Sequence, residues 1–219
     1  MANLDIIPRR QAGKFLKQWL VSVNGEIIYK GDYKITIWDI LTYAESTIEV
    51  KENISVILYK PKGYVCSDVD ENYPSYRRLL SGWPYANLVH VAGRLDWDTE
   101  GLVIASSDGQ FIHEIIAPKK KLEKEYFLQC AFSVSDDDLK KLEAGVTLDD
   151  GYTTMPAKAW RVTDKEIRLV IHEGKFHQVK KMLEALNNKV LYLRRDRIWQ
   201  RNIDSLKSWE RQEITPHLI

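Results

Sequence analysis

The loop at residues 93–101 carries the densest set of side chains that could do acid–base or nucleophilic chemistry. Asp96, Asp98 and Glu100 alternate along it, Arg94 precedes them, and a glycine stands at each end. Strand-like segments flank the loop, and loops held by rigid strands often carry active sites. The acids could act as a base or nucleophile, could bind a metal ion, or could only bond their own backbone in a turn. The metal interpretation is the weaker one, because the loop lacks the twelve-residue pattern with a central glycine and a terminal glutamate.

A second group of reactive side chains stands at the start of a predicted helix, residues 177–186. A glycine turn precedes the helix, and His177, Lys180 and Lys181 occupy its first turns. Cations at a helix N-terminus are slightly unfavourable with respect to the helix dipole. We therefore expect them to meet anions, either phosphates or a carboxylate such as Asp96, although an exposed basic helix remains the alternative.

The charges of the chain are balanced overall but segregated along it. The sequence has 32 Lys and Arg against 31 Asp and Glu, for a formal net charge of +1. Residues 175–201 nevertheless hold eight basic residues against two acidic ones, and Lys119, Lys120 and Lys121 form a second basic cluster. Such a protein can offer one basic face to a polyanion such as RNA. Each cluster could equally be solvated surface.

Apolar patterns predict the elements that must position these residues. Alternating or continuous apolar runs predict strands, and amphipathic stretches with a serine cap or a glycine stop predict helices. The predicted strands are 54–59, 88–91, 102–106, 126–130, 167–171 and 190–193, and the predicted helices are 110–116, 135–143 and 177–186. The pair Asn24-Gly25 predicts a hairpin turn. Strands and helices mix without a regular βαβ rhythm, which favours an α+β fold.

Three motifs taken together resemble those of the RsuA-like family of pseudouridine synthases. In order along the chain they are Gly93-Arg94-Leu95-Asp96 with Thr99, Gly101 and Leu102, then Lys124 with Tyr126, then the segment from Glu173 to Met182. Residues 60–67 and 193–198 resemble the opening and closing strands of the family's catalytic domain. The resemblance implies such a domain over residues 54–219, with a mixed, mainly antiparallel central sheet flanked by helices. Residues 1–50 resemble a truncated αL RNA-binding domain of the kind found in ribosomal protein S-four.

The resemblance also implies roles for individual residues. Asp96 is the catalytic carboxylate, as nucleophile or as base on the ribose, and Lys180, in place of the family's arginine, keeps it ionised. Tyr126 stacks on the target uracil, Ile171 lines the other side of the slot, and Arg94 helps to flip the base. The further substrate or RNA contacts are His177, Gln178, Lys181, Lys119, Lys120, Lys121, Arg194, Arg195 and Arg197. Trp199 stands where relatives usually have glycine, and we expect it to pack on the core.

The implied activity is the isomerisation of a specific uridine in rRNA to pseudouridine, with base flipping and with no cofactor or metal. The motifs resemble the branch of the family that acts on small-subunit rRNA more than the large-subunit branch. We expect a monomer whose partner is this rRNA or an assembly intermediate of the small subunit. Two other functions stay open. One is a catalytically silent RNA-binding ribosome-assembly factor on the same fold, and the other is a metal-dependent phosphodiesterase using Asp96, Asp98 and Glu100.

Composition limits the remaining possibilities. Apolar residues make up 44% of the chain and charged residues 29%, as in ordinary globular proteins. No apolar run approaches the roughly 20 residues of a membrane-spanning helix, and the N-terminus lacks a signal-peptide pattern. Cys66 and Cys130 are too few for a disulfide scaffold or a four-cysteine zinc site. We therefore expect a cytoplasmic protein with reduced thiols and no membrane partner.

Overall fold

A computed structural model of the chain describes residues 12–18 and 20–215. The start of the predicted domain 1–50 thus lies outside the described residues. In the described part, the helices are α1 (Ala12–Leu16), α2 (Gly109–Ile116), α3 (Asp136–Ala144) and α4 (Gln178–Glu184). The strands are β1 (Val21–Val23), β2 (Glu26–Ile27), β3 (Ile40–Tyr43), β4 (Ser46–Glu49), β5 (Ser55–Lys60), β6 (His90–Val91), β7 (Glu100–Ser106), β8 (Lys124–Cys130), β9 (Lys158–Thr163), β10 (Glu166–Ile171), β11 (Val190–Ile198), β12 (Arg201–Asn202) and β13 (Arg211–Ile214).

Strands β1 to β4 form a small antiparallel sheet in the order β2-β1-β3-β4. Asn24 and Gly25 have φ values of 52° and 84°, and they join β1 to β2 in the predicted hairpin. The buried apolar residues of this unit are Leu16, Val21, Val23 and Leu41. So small a core contributes little stability of its own. No strand pairing links this sheet to the larger one among the described residues, and the role of residues 1–50 in binding RNA stays a prediction.

The larger sheet has nine strands, with the path β13-β5-β7-β11-β8-β10-β9 and with β6 and β12 paired to β7 and β11. The pair β7 and β11 is parallel, and the other pairs are antiparallel. The α+β fold with a mixed, mainly antiparallel sheet is therefore confirmed. The parallel pair lies in the middle of the path, and β8 lies next to it.

The sheet is covered on both faces at β5 and β7, which explains the continuous apolar runs in these strands. Val56 and Leu58 of β5 belong to the larger apolar cluster, together with residues of α3 and α4. Ile57 and Tyr59 alternate with them and belong to a second cluster on the other face, to which α2 contributes. Because successive side chains of a strand point to opposite faces, a strand that is buried on both faces carries apolar residues at nearly every position.

Gly101 allows β7 to approach β11 closely. Its φ is +111°, and a Cβ atom at this position would clash with the backbone of Arg195. Both the left-handed conformation and the lack of space require glycine here. This close contact fixes the start of β7, and with it the loop that carries Asp96, against the central strand β11.

The C-terminal part holds the main differences from the predicted elements. The strand predicted at 190–193 continues to Ile198 as β11. Residues 211–214, for which no element was predicted, form β13, which pairs with β5. Strand β9 was not predicted at all. Trp199 has a φ of 53° and packs against the second apolar cluster, so its expected contact with the core is confirmed.

No helix within residues 12–18 and 20–215 combines the length and the apolar character needed to cross a bilayer.

Candidate active site

The loop between β6 and β7 holds Asp96 through bonds made by its backbone. The Leu95 amide donates to the Cys66 sulfur at 3.3 Å. The Gly63 amide donates to the Trp97 carbonyl at 2.7 Å, and the Thr99 amide donates to the carbonyl of Asp96 itself at 3.1 Å. These bonds tie the loop to the turn that follows β5. The carboxylate of Asp96, with 26% of its side chain exposed, is therefore held in a fixed position at the protein surface.

Helix α4 brings Lys180 to this carboxylate. The Lys180 Nζ atom donates to Asp96 Oδ2 at 2.8 Å and to Asp98 Oδ1 at 2.6 Å. Burial alone would lower the pKa of Lys180, but the hydrogen bonds to the two carboxylates raise it above its ordinary value. His177, with a φ of 53° just before the helix, has its Nε2 atom 3.5 Å from Asp96 Oδ1. The expected contact of Lys180 with Asp96 is thus observed, whereas Lys181 pairs with Asp149, and the catalytic roles stay predictions.

A cavity of about 350 Å³ opens beside this cluster, within the range of sites for small ligands. Its lining includes Arg94, Asp96, Tyr126, Ile171, His177 and Lys180. Tyr126 lies in the middle of β8, opposite Leu169 of β10 and Arg195 of β11. The structure therefore brings together the acid, the cation and the aromatic ring that the three sequence motifs supplied separately.

Glu173 braces one wall of the cavity. It is buried, and its carboxylate accepts hydrogen bonds from the Tyr152 hydroxyl at 2.7 Å, the Met155 amide at 2.9 Å and the Gln178 side chain at 2.6 Å. These contacts join the loop after α3 to the first turn of α4. Gln178 is therefore a buried structural residue, and it also lines the cavity.

Two lysines lie at or near the cavity: Lys124 lines it, and Lys60 interacts electrostatically with Asp96 and Arg195. Lys60 is fully buried, and its Nζ donates to the carbonyls of Pro61 and Tyr64. Burial lowers the pKa of Lys60 to about 8, and burial together with the charge of Arg195 lowers the pKa of Lys124 to about 8 as well. The lowered values mean that these two ammonium groups lose a proton more readily than exposed lysines do.

Arg195 corrects an expectation from the sequence, which grouped it with surface residues that follow the RNA backbone. Arg195 is 2% exposed, and its Nε donates to the Leu102 carbonyl at 2.8 Å. It lines the cavity instead, and its Nη2 atom has no hydrogen-bond partner among the described residues.

Arg194 and Arg197 are also placed differently from the expectation. They pair across the sheet with Phe127 and Glu125, whose side chains point to the face opposite Tyr126. Arg194 donates to Asp196, and Arg197 donates to Glu125 at 3.0 Å. Both are held by acids on the face away from the cavity, so neither contributes to its lining.

The other basic residues lie at the surface. Lys119 and Lys120 are in the 3₁₀ turn Pro118–Lys120, and Lys121 follows it with a φ of 48°; all three are exposed. Lys181 donates to Asp149 at 2.7 Å. Pro118 lines the cavity, so the three lysines at 119–121 lie near its rim and remain candidates for phosphate contacts.

The three acids of the loop do not converge. Asp96 and Asp98 share Lys180, whereas Glu100 accepts hydrogen bonds from the hydroxyls of Tyr59 and Tyr192. No group of three or more His, Cys, Asp or Glu side chains suited to holding a metal ion occurs in the described part of the chain.

Sequence reasoning missed several residues of the site. Lys60 stands in a motif that the resemblance used only to locate a strand, and a lysine at the end of an apolar strand was the available signal. Glu173 opens the third motif, but the sequence analysis assigned it no role of its own. Tyr152 and Met155 gave no signal, because their place at the cavity depends on how the loop after α3 folds back.

Comparison with known proteins gives consistent matches. The family model described as RNA pseudouridylate synthase matches residues 54–185. The ribosomal small subunit pseudouridine synthase A of Haemophilus influenzae is 37% identical over 212 residues, which cover 95% of this chain and 91% of that protein. The ribosomal large subunit pseudouridine synthase B of Bacillus subtilis is 31% identical and covers 100% and 91% of the two chains. A crystal structure of a pseudouridylate synthase matches with a TM-score of 0.71 at 35% identity, covering 98% of this chain and 93% of that one.

Proposed function

The chain belongs to the RNA pseudouridylate synthase family and is a pseudouridine synthase, and from this premise we propose that it isomerises a specific uridine of small-subunit rRNA with Asp96 as the catalytic carboxylate. The Haemophilus relative named for the small subunit is 37% identical, whereas the Bacillus relative named for the large subunit is 31% identical. This difference favours the small subunit. The partner is naked rRNA or an assembly intermediate, and the enzyme acts as a monomer.

The observation that carries the proposal is the ion pair between Lys180 and Asp96 at the edge of the cavity. Conversion of uridine to pseudouridine breaks the bond from C1′ of the ribose to N1 of the base and forms one from C1′ to C5. The proton on C5 is lost and N1 gains one, so no electrons are transferred. A carboxylate can attack C1′ or remove a proton from C2′ only while it is ionised, and a neighbouring ammonium group favours the ionised form.

The remaining lining residues suit a flat, uncharged base. Tyr126 offers a ring for stacking and a hydroxyl that can accept or pass on the C5 proton, while Ile171 offers an apolar surface. The Arg195 guanidinium, with an unpartnered buried Nη2 atom, can donate to a carbonyl of the uracil. A buried donor without a partner is costly, so a bound base that accepts from it gains affinity.

The base must leave its stack to reach Asp96. Arg94, two residues before Asp96, lines the cavity, where a planar cation can take the place of the departed base and contact phosphate. Lys181 of α4 and the lysines at 119–121 supply positive charge for the backbone of the strand, and the His177 ring can hydrogen-bond to it.

The test uses purified protein and an in vitro transcript of the host organism's small-subunit rRNA, with pseudouridines mapped by chemical labelling. We expect one modified position, absent from rRNA of cells that lack the gene. The isosteric variant Asp96→Asn should lower the rate by at least about 10³-fold while RNA affinity stays within about threefold of the wild type. Residual activity within tenfold of the wild type would refute the role of Asp96. Tight binding without any isomerisation by the wild type would favour the silent assembly factor.

A further inference from the structure

Two pairs of stacked aromatic rings lie just outside the cavity. Phe176 stacks on His177, with ring centroids 3.8 Å apart and 20° between the planes. Trp97 stacks on Tyr73, with centroids 4.4 Å apart and 5° between the planes. The side chains of Phe176 and Trp97 are 75% and 43% exposed. In each pair, therefore, one ring stacks on another ring and remains partly exposed to solvent.

The two pairs approach Asp96 from different elements. Trp97 follows Asp96 in the loop before β7, whereas Phe176 precedes His177 at the start of α4. The Nε2 atom of His177 is 3.5 Å from Asp96 Oδ1. Asp96 and His177 line the cavity, but Phe176 and Trp97 do not. Each exposed ring is therefore the immediate chain neighbour of a cavity-lining residue, Trp97 on the loop beside Asp96 and Phe176 before the helix beside His177.

We propose that these two pairs hold the nucleobases on either side of the uridine that enters the cavity, an inference that rests on the proposed function. When a base leaves its stack, each neighbouring base loses its contact on one face. An exposed ring replaces that contact. Stacking on an aromatic side chain tolerates any base, because every base has a π-face. The two pairs match the two bases that neighbour the target.

The charges between the pairs favour a nucleic acid over an apolar partner. Lys175 precedes Phe176 in the chain, with its Nζ 3.1 Å from the centroid of the Tyr152 ring, and both Lys175 and Arg94 line the cavity. An apolar partner would desolvate these cations without supplying opposite charge. The phosphates of an RNA strand supply that charge at the spacing of its bases.

The test replaces each exposed ring and compares it with a matched ring elsewhere. Phe176→Ala is compared with Phe132→Ala, because Phe132 is 63% exposed, and Trp97→Ala with Trp160→Ala, because Trp160 is 41% exposed. Neither control residue lines the cavity. Phe176→Tyr keeps the ring and serves as the rescue variant. Thermal melting of every variant checks that the fold is intact.

The first readout is KM and kcat for isomerisation of the small-subunit rRNA transcript. We expect Phe176→Ala and Trp97→Ala each to raise KM by at least about fivefold, with kcat within about threefold of the wild type. Phe176→Tyr and the two controls should stay within about twofold of the wild type in both constants. Wild-type KM in both alanine variants, or equal losses in the controls, would overturn the proposal while leaving the proposed function in place.

The second readout needs no turnover. It uses a single-stranded RNA of about eleven nucleotides in which a central uridine stands between two 2-aminopurine nucleotides, whose fluorescence reports stacking. The wild type should change this fluorescence, and the two alanine variants should change it less. If the wild type isomerises no rRNA, the proposed function fails. Equal fluorescence with wild type and both variants would then overturn the aromatic pairs as well, whereas a difference would sustain them.

Discussion

The Nζ atom of Lys180 lies 2.8 Å from Oδ2 of Asp96, although the two residues are 84 positions apart in the chain. The loop before β7 and the start of α4 must both be in place before this contact forms. Asp98 accepts from the same ammonium at 2.6 Å, so one cation serves two carboxylates. The charge of the candidate catalytic acid therefore depends on the tertiary structure as a whole.

Lys180→Ala should lower kcat by about 10²–10³-fold and change the RNA dissociation constant by less than about threefold. Without the ammonium, Asp96 and Asp98 lose the cation that the two carboxylates share, and with it the stabilisation of the negative charge that Asp96 needs in order to react. Single-turnover rates, with filter binding to the rRNA transcript, measure both effects.

Asp98→Asn is the matched control for Lys180→Ala, because it removes the other partner of the ammonium and leaves Lys180 bonded to Asp96. Its kcat should stay within about tenfold of the wild type. If Lys180→Ala weakens binding but leaves kcat unchanged, Lys180 contacts the RNA backbone and does not act through Asp96.

Glu173→Gln should lower the free energy of unfolding by about 1–3 kcal/mol. The substitution keeps one acceptor oxygen but replaces the other with an NH₂ group. This new donor faces groups that are themselves donors, from Tyr152, Met155 and Gln178. For a chain of this size the melting temperature should fall by about 2–4 °C for each kcal/mol. Tyr152→Phe removes a single donor and should cost less. A smaller loss in Glu173→Gln than in Tyr152→Phe would contradict the brace.

Removal of residues 1–50 should weaken binding to structured rRNA and spare the chemistry. The small sheet pairs no strand with the larger one in the described residues, and the cavity is lined by residues 92 and beyond. We expect a KM at least about fivefold higher with kcat within about threefold. Equal binding by the shortened protein would mean that residues 1–50 have a structural role only.

Lys60 should contribute a rise in the free energy of unfolding between pH 8 and pH 10, which Cys66 and Cys130 oppose in the same window because burial raises their pKa values. Burial lowers the pKa of Lys60 to about 8, against an ordinary value of 10.5. In this window the unfolded chain binds more protons at Lys60 than the folded chain, and stability then increases with pH. Below pH 8 the lysine is charged in both states and its destabilising effect is complete.

Urea unfolding at pH 7, 8, 9 and 10 measures this slope. Lys60→Met should make the slope less positive than that of the wild type, because it removes one of the two lysines whose pKa burial lowers to about 8. The series ends at pH 10, since burial raises the pKa of Tyr76 and tyrosines of the unfolded chain begin to ionise there, which opposes the trend. An unchanged slope in Lys60→Met would show that Lys60 does not titrate in this range.

Elements with strong local patterns could be predicted from the sequence. The apolar run at 54–59 corresponds to β5, and the helix predicted at 135–143 corresponds to α3, where Ser135 and Asp138 form a capping box. These signals are local, because a continuous apolar run and a helix cap are each formed by residues that are neighbours in the chain. Strand β13 could not be predicted in this way. Its residues are mostly exposed. Its pairing with β5 joins segments that are far apart in the chain, so no local pattern predicts it.

The site, too, contains features that could be predicted from the sequence and features that could not. The pairing of Lys180 with Asp96 could be anticipated, because the charges of the two motifs are complementary. The burial of Arg195 could not, since it depends on Gly101 allowing β7 and β11 to approach each other. A bulge between Arg195 and Arg197 interrupts the register of β11 with β8, and simple alternation along the strand does not reveal such a shift.

The late position of β13 in the chain has a consequence for synthesis. Until Arg211–Ile214 emerges from the ribosome, β5 has no neighbour on one side, and its amides and carbonyls there are open to any extended peptide nearby. Until β13 is made, a nascent chain can therefore associate with its own copies along β5. Strand β13 covers that edge, so fusion partners and purification tags are better placed away from it.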